Sequence, residues 1–509
     1  MRNSPFISQI GIVQYEPAWE TILRQIGIPF SVIDTNISLL QNYSMIIVNS
    51  DPVGVLETKL DEFVRSGGAA LITTKASKTI SAQTHSEKFI SSLPPAQNEN
   101  YRYDGILDLF SKTFFFRNND LVYRESFGDG WKGYLGFDIG IILSIGSKRK
   151  SFFSETGRMP NEVAAKRSKG VIRQLIFSVL LSLHKLQDIP FIHQWYFPDS
   201  ESTIFTMRID SDKGSQDQIE QIYQLSEEHS IPTTWFLDVK SHESWLPYFK
   251  KFKQQEIGVH CYEHVMYTSP VLNKENFERA LSRLQKNGHS PVGITAQTGE
   301  WNKSYAEVIE SLGFQYSSEF SYDYDDLPSF PFHDQNFSPV LQLPVHPICI
   351  GTMLRARMDE NEMIRYYTAF IDGNILLNEP ICLYHHPTHE HNGVFEEVFR
   401  YINQRKIKKL SYSQYANWWK QRNSNLGTVR VTDDSIEPSP TRTDVHYRVI
   451  MPDGSECITA VNEKLVLNRL PFQHVDRQLK IDADIMRSRS FDPRHILQNG
   501  LDWWIKITE

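Results

Sequence analysis

Cysteine is scarce. Four occur in 509 residues, Cys261, Cys349, Cys382 and Cys457, and no two of them make a CxxC pair. This excludes a dense disulfide framework and favours thiols kept reduced inside a cell. Positive charge is not in excess either. Lys and Arg number 53 against 61 Asp and Glu, a balance of 53 − 61 = −8, so there is no basic footprint for nucleic acid, and a polyanionic substrate would depend on local positive charge. No apolar run reaches the ~20 residues of a membrane span. The most apolar one, 175–183, is interrupted by Ser178 and Ser182 and reads as a buried helix. Met1-Arg2-Asn3-Ser4-Pro5-Phe6 has no apolar h-region, so no signal peptide is expected and the expectation is a cytoplasmic protein. Internal repeats and low-complexity tracts are absent, and the length predicts two to four domains. What the chain does have is aromatic residues, 10 Trp and 22 Tyr among them. Most belong in cores, and exposed ones can stack on sugar rings.

The segment 204–267 carries the chemistry. Thr203-Ile204-Phe205-Thr206-Met207-Arg208-Ile209 alternates and is rich in β-formers, so its end delivers Asp210 and Asp212 to a strand-to-loop boundary. Glu256-Ile257-Gly258-Val259 is a second short strand, with His260 and His264 following it. On a helical turn, residues four apart share a face, and two imidazoles so spaced can grip one ion. Two imidazoles with one carboxylate leave coordination positions open, as a catalytic site does. That donor set suits zinc, iron, cobalt or nickel better than calcium. An isolated HxxxH is more often a surface pair, but here other motifs point the same way.

In order along the chain, these pieces resemble the polysaccharide deacetylase (NodB-like, carbohydrate esterase family four) catalytic domain. Arg208-Ile209-Asp210-Ser211-Asp212 is similar to its first motif, 231–236 to its second strand, and 255–264 to its HxxxH motif. Gly293-Ile294-Thr295-Ala296-Gln297-Thr298-Gly299-Glu300-Trp301 occupies the place of the third motif, without the Arg and Pro that the family has there. Residues 312–328 and Ile381-Cys382-Leu383-Tyr384-His385-His386-Pro387 are similar to the last two. The resemblance covers about residues 200–422. It implies a distorted (β/α) barrel with its site at the carboxyl ends of the strands, and metal-dependent amide hydrolysis.

The first hundred residues alternate strand and helix, which argues for a parallel sheet and resembles a flavodoxin-like or class-I glutamine amidotransferase-like fold. The amidotransferase nucleophile is a cysteine, and none precedes Cys261. Asn49-Ser50-Asp51-Pro52 therefore reads as a turn. Strands over 114–138, separated by Asn118-Asn119 and Gly128-Asp129-Gly130 turns, complete that sheet. Residues 161–186 are expected to form one amphipathic helix whose basic residues, Lys166, Arg167, Lys169 and Arg173, make a solvated face. After Asn423 the composition shifts. A hairpin over 446–461 and a last strand at 503–507 are read as a small β-sandwich. The predicted architecture is thus an α/β chain: a flavodoxin-like domain (1–155), a helical connection (156–199), a polysaccharide deacetylase-type barrel (200–424) and a small β-domain (425–509).

The resemblance assigns Asp212, His260 and His264 to the metal, zinc first with cobalt, nickel or iron as alternatives. Asp210 becomes the base and His386 the acid. The inserted Ser211 leaves the roles of Asp210 and Asp212 exchangeable, and His385 competes with His386. His386 is preferred because the following Pro keeps it extended at the strand end. Substrate contacts are expected from Gly299, whose turn offers a backbone N–H to an oxyanion, and from Glu300, Trp301 and Asp325, the last to orient the acid His. With Thr295 or Gln297 where the family has Arg, the base is expected to lack its cationic partner. The expected reaction is de-N-acetylation of an N-acyl sugar of a polysaccharide or its precursor. The alternatives are hydrolysis of a small non-sugar amide, or an inactive glycan-binding scaffold.

Overall fold

The structure is a computed structural model. It describes residues 5–33, 40–81, 83, 86–90, 111–115, 121–150, 152–154, 157–158, 162–424, 426–439 and 445–475. The expected strand at 503–507 and the Asn118-Asn119 turn lie outside them.

The N-terminal strands form the parallel sheet that their apolar runs predict. Phe6–Val13, Tyr43–Val48, Ala69–Ile72 and Gly130–Leu135 lie side by side in parallel, with Val122–Phe127 antiparallel at the edge. Helices cover both faces, as an all-apolar strand such as Ala69–Ile72 requires. Pro17–Ile26 and Lys169–Leu186 pack on one face, Val55–Arg65 on the other. Pro17 starts its helix at a position that needs no N–H, and Gly27 stops it at φ +91°.

Three local expectations fail. Ser111–Phe115 does not complete the N-terminal sheet but pairs antiparallel with Ser86–Ile90 in a separate two-stranded sheet. Residues 162–165 are not helical. Glu162–Ala165 is a strand antiparallel to Ser147–Lys150, and the helix begins at Lys169; Asn161 lies outside the described residues. The charge run is also not a solvated face, since Arg167, Lys169 and Arg173 are buried. The Arg173 guanidinium donates to Asp326 at 2.6 Å and to both oxygens of Glu379 at 2.7 Å. The partners lie 153 and 206 residues away, beyond the reach of any local pattern.

The C-terminal strands are present, and their pairing differs from a separate sandwich. Thr428–Val431 adds antiparallel to Phe6–Val13, and Ser435–Ser439 and Leu465–Val466 continue outward from it. The hairpin His446–Ile450 with Ser455–Ala460 pairs with Phe191–Gln194, from the stretch before the barrel. The segment is therefore built into sheets begun elsewhere in the chain. Arg422, buried at the end of helix Tyr412–Ser424, donates to the carbonyls of Arg24, Gln25, Gln194 and Trp195 and so ties the barrel to helix Pro17–Ile26.

The barrel sheet runs Leu341–Gln342, Tyr316–Ser317, Gly293–Ile294, Glu256–Cys261, Thr234–Asp238, Ile204–Asp210, Ile381–His385, all parallel. Ile204–Asp210, between Thr234–Asp238 and Ile381–His385, is buried along its whole length. The two end strands are not paired with each other. A backbone bond from His346 N to Cys382 O (2.9 Å) bridges the opening, which makes the barrel distorted rather than closed.

Candidate functional site

Strand Ile204–Asp210 ends as its β-formers run out, and the chain turns at once. Ser211 N donates to Phe236 O, Ser211 Oγ accepts from Asp238 N at 2.9 Å, and Gly214 N donates back to Ser211 O at 2.7 Å. A Cβ on Gly214 would lie 2.8 Å from that oxygen and 3.0 Å from Pro387 Cβ, so the turn is tight against the strand that delivers His386. Asp210 remains in the strand and Asp212 is on the turn, so the inserted Ser211 separates the two carboxylates in position and in partners.

Arg208 and Asp210 share a strand face. Arg208 Nε and Nη2 reach the two oxygens of Asp210 at 2.7 and 2.6 Å, with both side chains buried. This is a forked, charge-assisted pair. It overturns the expectation that the base lacks a cationic partner: the cation comes from two residues upstream on the same strand, not from the third motif. Arg208 was in view in the sequence, and the period-2 rule would have found the pair.

His260 ends its strand with Nδ1 at 2.9 Å from Thr295 Oγ1 and 3.1 Å from Thr295 O. The carbonyl requires a proton on Nδ1, which leaves Nε2 as the free lone pair. Thr295 thus orients an imidazole. The His264 loop is not the helical turn expected of HxxxH. It is a bend after the strand, held by Asn276, whose Oδ1 accepts from Tyr262 N (3.0 Å) and Glu263 N (2.7 Å) and whose Nδ2 donates to Glu263 O (2.9 Å). This clamp places the two rings 5.2 Å apart.

His260 Nε2 is 3.1 Å from Asp212 Oδ1, and His264 Nε2 is 3.4 Å from Asp212 Oδ2. The donor atoms of the three residues all lie within 4.8 Å of one another. Asp212 Oδ1, His260 Nε2 and His264 Nε2 are buried and make no hydrogen bond. Three facing donor atoms without a hydrogen-bond partner are what a cation satisfies, and one carboxylate with two imidazoles is a zinc-type donor set with room for water and substrate. Burial pushes the Asp212 carboxyl up, but His260, His264 and His386 outweigh it and hold it well below the usual carboxylate range.

His386, extended at φ −121° and ψ 132° ahead of Pro387, brings Nε2 to 3.4 Å from Asp212 Oδ2 and 4.0 Å from Asp210 Oδ2. Burial lowers its pKa, while Cys349 and the carboxylates of Asp212 and Asp210 raise it further, to about 9. His385 faces away. It packs on Phe395 with ring centroids 4.7 Å apart, and burial keeps it neutral.

The other expected contacts do not join this group. Gly299 N donates to Ala296 O and Glu300 N to Gln297 O, so neither N–H is free for an oxyanion. Gly299 has φ +61°, and its missing Cβ makes way for the Phe320 ring. Trp301 is a buried plug against Tyr322, and Glu300 is exposed. Asp325 serves a different histidine: both its oxygens lie 3.0 Å from His346 Nδ1.

Residues 206–317 match the family model described as polysaccharide deacetylase. No curated protein matches the chain by sequence. Similar solved structures include a polysaccharide deacetylase homologue from Mycobacterium smegmatis, 14% identical over 45% of this chain and 94% of that one, TM-score 0.38. Another homologue, from Pseudomonas aeruginosa, is 14% identical over 44% and 93%, TM-score 0.38. The peptidoglycan deacetylase PdaC from Bacillus subtilis is 13% identical over 44% and 95%, TM-score 0.32.

Proposed function

We propose that the polysaccharide deacetylase domain of this chain hydrolyses the amide of an N-acetylated sugar, in a polysaccharide or its precursor, with a divalent cation held by Asp212, His260 and His264. The observation that carries this reading is the set of three buried, hydrogen-bond-free donor atoms beside the Asp210 carboxylate, forked by Arg208, and the His386 imidazole. Zinc fits the donor set first, with cobalt, nickel or iron as alternatives. A cation in that place lowers the pKa of a bound water toward ~7 and polarises the amide carbonyl.

The chain's own groups supply the proton transfers. Asp210 takes a proton from water as the water oxygen bonds to the carbonyl carbon. Arg208 fixes the orientation of that carboxylate. When the C–N bond breaks, His386 Nε2 gives its proton to the departing amine, leaving a free sugar amine and acetate. Asp210 and Asp212 take these different parts because one is forked by Arg208 and the other faces two imidazoles.

Acetate release from chitooligosaccharides, measured with the metal-loaded protein and with Asp212→Ala, tests the reading. Release by the parent chain and its loss in the variant are expected. Release undiminished in Asp212→Ala, or turnover of a small cyclic amide alone, overturns it.

A further inference from the structure

A second group of ligand-type atoms lies on the other flank of His386. Cys349, His386 and His389 each bring one donor atom within 4.8 Å of the others. Cys349 is buried just before helix Ile350–Arg355. His389 comes from the turn after Pro387 and is pressed onto Gly351, where a Cβ would lie 2.5 Å from its ring. The rings of His386 and His389 are 4.6 Å apart.

The ordinary explanation for such a group is a hydrogen-bonded core cluster, but the thiol that the two imidazoles share has only one proton to offer between them. Nδ1 of His386 and Nδ1 of His389 are both buried without a partner. Apart from the two imidazoles, the thiol meets Thr352 Oγ1 at 3.8 Å, a weak contact for sulfur, and the Tyr384 hydroxyl. Two adjacent imidazoles with unpartnered nitrogens around a buried thiol have the composition of a transition-metal site. A tetrahedral ion with bonds of about 2.0–2.3 Å needs donors roughly 3.5 Å apart, so the group closes on an ion by a shift of about 1 Å.

We infer that Cys349, His386 and His389 form a second metal site, a soft one built from a single thiolate and a pair of imidazoles, that takes Zn2+, Co2+ or Cu+. Thiolate selects soft ions, whereas Asp212 with two imidazoles makes the neighbouring site harder. The two sites are joined through His386. An ion at the second site takes the Nδ1 lone pair of His386 and leaves it a neutral imidazole whose Nε2 proton could depart only by forming an imidazolate, a far weaker acid than imidazolium, so excess soft metal inhibits hydrolysis. That consequence rests on the proposed role of His386; the metal site itself does not.

Cobalt titration of the metal-free protein distinguishes the two. The full-length chain is expected to bind two Co2+, the softer site showing the near-ultraviolet thiolate-to-cobalt absorption. Cys349→Ser is expected to bind one and to lose that absorption, and His389→Gln to do the same without touching the thiol. A parent chain with no thiolate band, or a band that survives in Cys349→Ser, overturns the inference. Should Cys349→Ser not fold, His389→Gln decides: a retained second ion with an undiminished band overturns it. Loss of the other ion in His264→Ala, with the thiolate band intact, is the separate signature of the first site, so the two readings fail independently.

Discussion

Two parallel sheets in this chain end their central strands in polar residues, and they treat them in opposite ways. In the N-terminal sheet, Tyr43–Val48 ends at Asn49. Its Oδ1 accepts from Trp19 Nε1 (3.0 Å) and Thr73 Oγ1 (3.1 Å), and its Nδ2 donates to Gln14 O (2.9 Å). Asp51, two residues on, accepts from Thr79 N and Oγ1 and Lys78 N. Every strong group there is satisfied by protein. In the barrel, the turn after Ile204–Asp210 and the end of Glu256–Cys261 carry donor atoms, Asp212 Oδ1 and His260 Nε2, that make no hydrogen bond. The first arrangement contributes stability; the second holds polar atoms in reserve for something that binds.

Variants at the two strand ends are expected to separate these roles. The largest effect belongs to Arg208→Met. It strands the buried Asp210 charge, so unfolding free energy should fall by about 3–5 kcal/mol in denaturant titration, and acetate release should fall with it. His264→Ala should cut hydrolysis about 10³-fold with loss of bound metal, while the apo protein's melting temperature stays within about 2 °C because only a partly exposed pairing with Asp212 is lost. The mirror case is Asn49→Ala, which leaves the buried Trp19 Nε1 without its acceptor and takes one bond each from Thr73 Oγ1 and the Gln14 carbonyl. It should cost about 2–3 kcal/mol in thermal unfolding and leave kcat/KM unchanged.

The proposed role of His386 as the acid gives a pH signature. His386 must be protonated to donate, and its pKa is pushed up to about 9 by Cys349, Asp212 and Asp210 against the effect of burial. The rate is therefore expected to hold through about pH 8 and to decline about tenfold per unit well above pH 9. His386→Gln should remove that limb. By the same sign, the raised pKa stabilises the metal-free fold fully below the unfolded value of about 6.5, and that contribution is lost as pH rises through about 9. The smallest effect is Thr295→Val. One of two bonds orienting His260 disappears, and metal affinity should weaken about tenfold in a chelator competition.

The order of motifs made the barrel legible, because each motif is a strand end and strand ends follow from β-formers running into turn residues. Asp212, His260 and His264 could be gathered from spacing and family pattern together. The helical turn invoked for the two histidines was the wrong local geometry. Asn276, from a helix twelve residues further on, holds the loop instead, and spacing carries no trace of such a clamp. The substrate contacts assigned to Gly299, Trp301 and Asp325 failed for a related reason. A glycine turn, an indole and a carboxylate look alike in sequence whether they face a cleft or a core, and here the turn's N–H groups, the ring and the acid are all committed to neighbours within the fold. Arg173 shows the same limit on a larger scale, since its partners Asp326 and Glu379 belong to a different part of the chain.

Composition and periodicity alone determined that the chain alternates strands and helices into parallel sheets, and that acids and imidazoles stand where those strands stop, since both follow from residues near one another in the chain. Which of those polar atoms are satisfied, which arginine forks the base, and that a thiol 37 residues before His386 stands beside it were settled only by tertiary packing. Hydrogen bonding and metal affinity depend on distances of a few ångströms between residues far apart in the chain, and such distances exist only once it has folded.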